Sequence, residues 1–406
     1  MLIGRLFLIH SLEKCGEPAL NMTILERAVP VGFDEASPSH RFVVELLAQA
    51  DIQLDGRRPW DIQLKVPGVI DSALSRGNLG LGESYMRGEW DAEQLDELFY
   101  RLMRAQLGQR IKPTQLMYYS LRSRLLNRQT IKRAWEVGEK HYDLGNDFYA
   151  AMLDQRMTYT CGYWKDAKTL DQAQEAKLDL ICRKLELKPG MRVLDIGCGW
   201  GSFMAYAAEH YGVECVGLTI SKEQAEFGQR LIKKGLPVEF RLQDYRNEHE
   251  RFDRIVSIGM FEHVGHKNYR EFMCVANRCL KDDGLFLLHT IGKNLSNTVT
   301  DPWIDKYIFP NGELPTLGKI TDAAEALFVV EDVHNFGADY DRTLMAWYRN
   351  FEAHWPTFKA QYGERFYRMW CYYLSSCAGA FRAREIHLWQ LVMSKQGVLG
   401  GYHRVS

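Results

Sequence analysis

The stretch VLDIGCGWG, Val193 to Gly201, decides the fold. Its first half completes an apolar run, MRVLDI (191–196), with the length and composition of a buried strand. Asp195, Gly197, Gly199 and Gly201 then form D-x-G-x-G-x-G between that strand and a following helix, the context in which a glycine loop serves a ligand. Glycine lets the backbone turn tightly and lets a ligand approach it. A bare loop of this kind does not separate a dinucleotide from S-adenosylmethionine, because both pack against the carboxyl ends of parallel strands.

Downstream, VECVGL (213–218), VEFRLQ (238–243), FDRIVSI (252–258) and GLFLLHT (284–290) read as further strands separated by helical intervals. That alternation predicts a parallel sheet covered on both faces. Thr169 with Gln172, and Ser221 with Gln224, have capping-box spacing at two helix starts. FVVEDVHNF (328–336) and EIHLWQLVM (385–393) read as later strands separated by an aromatic-rich helical insert at about 338–380. A ribose-binding acid is expected about 20 residues past a glycine loop, yet the chain reads Gly217-Leu218-Thr219-Ile220-Ser221. Thr219 is expected to take part of that role through its hydroxyl and the helix start behind it. Gln243 and Asp244, after the third strand, are placed to contact an adenine, with an ordinary turn and cap as the competing explanation.

Upstream, residues 1–130 read as a small, mainly helical unit. Ser39 caps a predicted helix to about Ala50, WDIQLKV (60–66) alternates like a strand, Pro67 opens another helix, and NLGLG (78–82) reads as a glycine-rich turn. Between Leu98 and Trp135 stand nine basic residues and no acidic one: Arg101, Arg104, Arg110, Lys112, Arg122, Arg124, Arg128, Lys132 and Arg133. Such a block suits an anionic lipid surface or a nucleic-acid backbone, with a merely solvated face as the plain alternative.

The 406 residues carry a net charge of -1, with 25% charged and 46% hydrophobic residues, the balance of a globular protein rather than a disordered or integral membrane one. Nine cysteines without CxxC pairs point to free thiols in a reducing cytoplasm and away from structural zinc. Arg5 interrupts the apolar opening MLIGRLFLIH and no small-residue cleavage site follows, so no signal peptide is read; Met22 offers an alternative start.

The form VLDxGCGxG resembles S-adenosylmethionine-dependent methyltransferases. Further motifs narrow the likeness: HYDLGNDFY (141–149), YTCGYW (159–164), GLTIS, LQDYR, GMFEHVG (259–265), LLHTIG (287–292), DPWIDKYIFPNG, NFGADYDRTLMAWY and CAGAFRAR (377–384). Together they resemble the bacterial cyclopropane fatty-acid synthases from about residue 40 onward, with related mycolic-acid methyltransferases sharing only the part after about 135. The resemblance implies an α/β fold: a Rossmann-like methyltransferase domain over 131–406, preceded by a mainly helical lipid-docking domain over 23–130 and an extension, 1–22, without an assigned role.

The reaction that the resemblance implies transfers a methyl from S-adenosylmethionine to a cis double bond of a phospholipid acyl chain, and loss of a proton closes a ring. An alkene is a weak nucleophile, so it and the sulfonium must be aligned in a dry pocket. Aromatic faces stabilise the resulting carbocation; Tyr163, Trp164, Phe261, Trp303, Tyr307 and Tyr340 are the available set, with ordinary core packing as the alternative for each. By the same resemblance, the base is a bound bicarbonate held by Cys161, Glu262, His289, the backbone of Ile291 and Tyr340. Tyr, His and Cys are donors to a small anion, while Glu262 accepts its proton or orients His289. Cys377 matches a cysteine of the family's active site, although methyl transfer to an alkene has no acyl step for a covalent nucleophile to serve.

Cofactor contacts carried over from the resemblance fall on Tyr159, Thr160, Val193, Leu194, Asp195, Ile196, Gly197, Cys198, Gly199, Trp200, Gly201, Thr219, Ile220, Ser221, Lys222, Glu223, Gln224, Gln243 and Asp244. The resemblance further implies a homodimer, bound peripherally to the phospholipid bilayer at the cytoplasmic face of the cell membrane, with no nucleic-acid partner. Two other readings stay open on the residues: a methyltransferase that stops at a methyl-branched product, and a non-catalytic lipid-binding protein on the same scaffold.

Overall fold

The computed structural model describes residues 38–66, 68–106, 144–296 and 300–405. Residues 1–22, Pro67 and most of the basic run, 107–135, lie outside the described residues.

The chain before residue 107 contributes α1 (Pro38–Ala48), β1 (Gln63–Leu64), α2 (Gly68–Arg76), α3 (Asn78–Met86), β2 (Trp90–Asp91) and α4 (Leu95–Arg104). Two expectations fail here. Only Gln63 and Leu64 of WDIQLKV form a strand, paired antiparallel to β2. The rest is bent by buried Asp61, whose carboxylate takes the backbone N–H groups of Gln53 at 2.8 Å and Arg58 at 2.9 Å. NLGLG is not a turn but the start of α3, and its glycines serve close packing: a Cβ on Gly82 would lie 2.4 Å from Trp303, and one on Gly80 would lie 2.0 Å from the Ser72 carbonyl oxygen. On α4, Leu95, Leu98, Phe99, Leu102 and Met103 form the buried stripe that i, i+3, i+4 spacing produces. Arg101, the first basic residue of the run, is paired with Glu97 at 2.8 Å and Asp51 at 2.7 Å.

After α5 (Asn146–Met152) and α6 (Leu170–Lys184) comes the sheet: β3 (Arg192–Ile196), α7 (Ser202–Tyr211), β4 (Glu214–Thr219), α8 (Lys222–Leu231), β5 (Val238–Leu242), β6 (Phe252–Ile258), α9 (Tyr269–Cys279) and β7 (Leu280–Lys293). Then follow α10 (Pro302–Tyr307), α11 (Leu317–Ala324), β8 (Val329–Asn335), α12 (Ala338–Arg382) and β9 (Ile386–Ser394). The seven strands of this sheet run in the order β5-β4-β3-β6-β7-β9-β8. β3 to β7 pair parallel and β9 enters antiparallel, which bears out the α/β reading. Side chains of β3 alternate between two cores, Val193 with Phe203 and Leu178 on one face and Leu194 with Phe272 and Leu391 on the other. Both helix starts expected from capping boxes form, but each box is half-made. Thr169 and Ser221 accept the N–H of Gln172 and Gln224, while the two glutamine side chains bond Lys168 N–H and the Thr219 hydroxyl instead.

α12 turns back on itself at Gly363, where φ is 74°, and its halves pack as a hairpin: Phe351 stacks on Tyr367 at 5.7 Å. This hairpin shares one core with α3, α4 and α5. Arg382 fastens its return half to Asp96 at 2.6 Å, Glu97 at 3.1 Å and Asp341 at 2.9 Å. The helical segment thereby stands over the carboxyl ends of the parallel strands, where α/β sheets bind ligands.

Candidate active site

Two cavities adjoin at those strand ends. The first, about 190 Å³, is lined by Asp195, Gly197, Cys198, Gly199 and Trp200, by Thr219, Ile220 and Gln224 after β4, by Gln243 and Asp244 after β5, and by Tyr159 and Thr160. The second, about 170 Å³, is largely apolar and holds Glu262, Ile291, Tyr340 and Cys377 among Phe309, Leu344, Tyr373 and Phe381, with Leu81, Phe99, Leu102 and Met103 closing another side. Tyr159, Thr160, Gly259 and His263 line both.

In the first cavity the glycines do what their positions require. Gly197 has φ +87° and a Cβ there would lie 2.5 Å from Met260, whereas at Gly199, φ +55°, the space is open. Asp195 Oδ1 is buried without a hydrogen bond among the described residues. Burial pushes this carboxyl up to about 7, against the pull of the Lys177 ammonium. An orphaned buried acceptor of this kind fits a ligand ammonium, which would hold it ionised, and an amino-acid end over a glycine loop is what S-adenosylmethionine presents. Lys177, pushed down to about 8 by burial, donates to Thr160 Oγ1 at 2.9 Å. Thr219 lines the cavity, but its hydroxyl, expected to serve a ribose, donates to Gln224 Oε1 at 3.3 Å and accepts the Ser221 N–H at 3.1 Å at the helix start. Asp244 both caps the turn Tyr245–Asn247 and faces the cavity.

Several expected cofactor contacts lie elsewhere. Val193, Leu194 and Ile196 are strand core, and Gly201, with φ +81°, opens α7 beside Phe240. Ser221, Lys222 and Glu223 start α8, and none of these lines the cavity among the described residues. The loop presents its turn to the cavity and keeps its strand in the sheet.

In the second cavity Glu262 Oε1 accepts the Ile291 N–H at 2.5 Å, while Oε2 is buried without a hydrogen bond among the described residues. Burial is the main force pushing this carboxyl up to about 7. The N–H of the Ile291 backbone, expected beside the anion, is thus taken by Glu262. Tyr340 stacks on Phe381 at 4.5 Å, and burial pushes its hydroxyl far above the ordinary range. The Cys377 thiol is pushed up to about 12 by burial and stays protonated.

Cys161 and His289 do not line the cavity among the described residues. Cys161 is fully buried and its Sγ donates to the Gly162 carbonyl at 3.2 Å. His289, on β7, takes the Gln390 amide N–H on Nδ1 at 3.2 Å, and its Nε2 is buried without a hydrogen bond among the described residues. Burial drives the imidazole well below its ordinary pKa, so it is neutral and the unpartnered Nε2 is a donor.

Of the aromatic set proposed from sequence only Tyr340 lines the second cavity. Trp164 donates to Thr343, Tyr307 donates to Glu83, Trp303 packs on Tyr372, Phe261 on Tyr269, and Tyr163 on Phe336. The aromatic faces actually present are Tyr159, Phe309, Tyr373, Phe99 and Phe381, and the hydroxyls of Tyr159 and Tyr373 meet at 2.9 Å. His263, neutral at a pKa of about 4 because it is buried, went unremarked in the sequence although it sits beside Glu262 in GMFEHVG. Lys177, Lys293 and Glu313 carried no sequence signal.

A parallel sheet with a glycine loop, an orphaned acid at the loop and an apolar cavity beside it define the class: the protein has the S-adenosylmethionine-dependent methyltransferase fold. Comparison with known proteins specifies it further. Residues 129–391 match the sequence profile of the mycolic acid cyclopropane synthetase family, and the chain belongs to that family. It is 54% identical over 366 residues to the cyclopropane-fatty-acyl-phospholipid synthase of Escherichia coli strain K12, covering 89% of this chain and 94% of that one. The mycolic acid cyclopropane synthase CmaA1, solved with SAH and CTAB, matches with a TM-score of 0.60 and 37% identity over 64% of this chain and 98% of its own. The cyclopropane synthase MmaA2 from Mycobacterium tuberculosis matches with a TM-score of 0.61 and 35% identity over the same shares.

Proposed function

We propose that this enzyme converts cis double bonds of phospholipid acyl chains into cyclopropanes, using S-adenosylmethionine as the methyl donor. One observation carries the reading: the cavity over the glycine loop adjoins a largely apolar one at Tyr159, Thr160, Gly259 and His263, and the apolar one contains a buried carboxylate with an oxygen that has no hydrogen bond among the described residues. The donor supplies an electrophilic methyl on a sulfonium. The alkene electron pair forms the new carbon–carbon bond as the methyl–sulfur bond breaks. The substrate cation that results lies among the faces of Tyr159, Phe309, Tyr340 and Tyr373, which stabilise it without being alkylated. Loss of one proton from the transferred methyl lets its C–H pair close the ring, and the products are the cyclopropane, S-adenosylhomocysteine and a proton.

Glu262 is the final acceptor of that proton. A carboxylate with a pKa of about 7 is matched to proton transfer near neutral pH. A bound bicarbonate would supply the immediate base, and the cavity has residues to hold it: Glu262, whose Oε2 has no hydrogen bond among the described residues, as acceptor, and Tyr340 as donor, whereas His289, expected to join them, does not line the cavity among the described residues. Cys377 remains a neutral wall residue.

The substrate reaches the site from a bilayer. Among the described residues no helix is long and apolar enough to cross a membrane, and the basic run 107–135 supplies positive charge for anionic headgroups at a cytoplasmic membrane face. Peripheral binding by a homodimer, with 23–130 as the docking domain, completes the proposal; two docking segments on one particle would prolong its stay on the membrane. The test is to incubate the protein with S-adenosylmethionine and unsaturated phospholipid vesicles and follow olefinic proton signals and acyl-chain mass. Loss of the double bond with gain of one CH2 is expected. A methyl-branched alkene, or no change in a folded protein that binds S-adenosylhomocysteine, would overturn the proposal.

A further inference from the structure

On the reading of the second cavity as the acyl-chain site, we infer that the helical segment ahead of the catalytic sheet selects which double-bond position reacts. Phe99, Leu102 and Met103 of α4, with Leu81 of α3, form an apolar part of the lining of the cavity that holds Tyr340 and Cys377, and on this inference they limit how far a chain extends past those two. All four are more than nine-tenths buried, so they shape the interior of the cavity and not its rim. They precede residue 129, where the family match begins; this wall is therefore an addition to the shared catalytic unit.

The wall is fixed, which selectivity requires. A Cβ on Gly379 of α12 would lie 2.7 Å from the Phe99 Cβ and 2.9 Å from the Asp96 carbonyl oxygen, so α4 rests directly on the hairpin backbone. The Arg382 fork holds Asp96 and Glu97 at the start of α4. At the other end of the contact, Arg368 of the same hairpin donates to the Trp90 carbonyl at 2.8 Å and to Asp91 at 2.5 Å. Tyr340 stacks on Phe381 of that hairpin, so the distance from the α4 wall to the reacting groups is set by one rigid unit. An alkene has no polar handle, and chain depth is the remaining means of placing it opposite the methyl donor. One methylene of misfit in a hydrophobic pocket is worth about tenfold or more in rate.

The test uses the full-length enzyme on mixed vesicles of phospholipids whose monounsaturated chains have one length and a cis double bond displaced stepwise. Competition within one vesicle makes the product ratio independent of membrane affinity. Leu102→Ala, which deepens the cavity, and Leu102→Phe, which shortens it, should move the preferred position in opposite directions, each changing the ratio of neighbouring products about tenfold. S-Adenosylhomocysteine binding should stay within about twofold of wild type, since α4 does not line the first cavity. An unchanged product ratio in both variants, whatever their rates, overturns the inference. If Leu102→Ala does not fold, as shown by loss of S-adenosylhomocysteine binding, Leu102→Val provides the same reading with a smaller displacement. A wild-type enzyme that makes no cyclopropane from any of these lipids fails the functional reading itself, a result visible before any variant is made.

Discussion

Replacing Glu262 by glutamine separates the chemistry of the site from its architecture. The amide oxygen can still accept the Ile291 N–H that Oε1 takes at 2.5 Å, so the local fold is kept while the titrating oxygen is lost. Losing a positioned acid–base group slows turnover about 10²–10⁴-fold, whereas S-adenosylhomocysteine affinity, read by calorimetry, should change less than about threefold because Glu262 does not line the first cavity. Stability moves the other way. The folded carboxyl titrates near 7 against 4.5 in the open chain, so the folded state binds more protons between those values and loses stability as pH rises through that window. The difference of about 2.5 units corresponds to roughly 3 kcal/mol. Glu262→Gln should therefore melt close to wild type near pH 4.5 and above it at pH 8. Equal loss of turnover and of ligand affinity, or a variant less stable than wild type at pH 8, would refute the proton-acceptor assignment.

Tyr340→Phe keeps the stacking on Phe381 but removes the hydroxyl, and vesicle turnover should fall about tenfold or more with little change in melting temperature. Cys377→Ala should keep turnover within about fivefold, and Cys377 in the wild type should resist iodoacetamide at pH 8, because a thiol held near 12 offers almost no thiolate. Gly197→Ala combines φ +87° with a Cβ 2.5 Å from Met260 and should weaken S-adenosylhomocysteine binding at least about tenfold in calorimetry. Stripping bicarbonate from the buffer should depress turnover, and adding it back should restore the rate without changing the apparent affinity for S-adenosylmethionine; an unaffected rate counts against a bound bicarbonate.

The sheet was legible because its signals are local. Five strands alternate with helices in the sequence, and the glycine loop between β3 and α7 needs only its own neighbours to be understood. Glu262 was legible through the resemblance that GMFEHVG carries, and it lines the second cavity. What the sequence hid depends on partners far along the chain. The glycines of NLGLG read as a turn because Trp303, the ring that Gly82 must admit, is more than 200 residues away. Aromatic residues near the motifs were equally ambiguous: Trp303 and Tyr307 lock the helical segment to the catalytic unit, while Phe99 and Tyr373, which belong to none of the quoted motifs, line the cavity. The Ile291 backbone was expected beside the anion, and its pairing with Glu262 through the N–H depends on a partner 29 residues away. Lys177 shows no pattern at all, since its role comes from lying buried between Thr160 and Asp195.

Ring closure with loss of a methyl proton is the central claim, and trideuteromethyl S-adenosylmethionine tests it most directly. With unsaturated phospholipid vesicles as acceptor, mass spectrometry of the released fatty acids should show a product that retains two of the three deuterons and has no olefin. A product retaining all three deuterons would contradict the account, because it would mean that the methyl is transferred and never deprotonated.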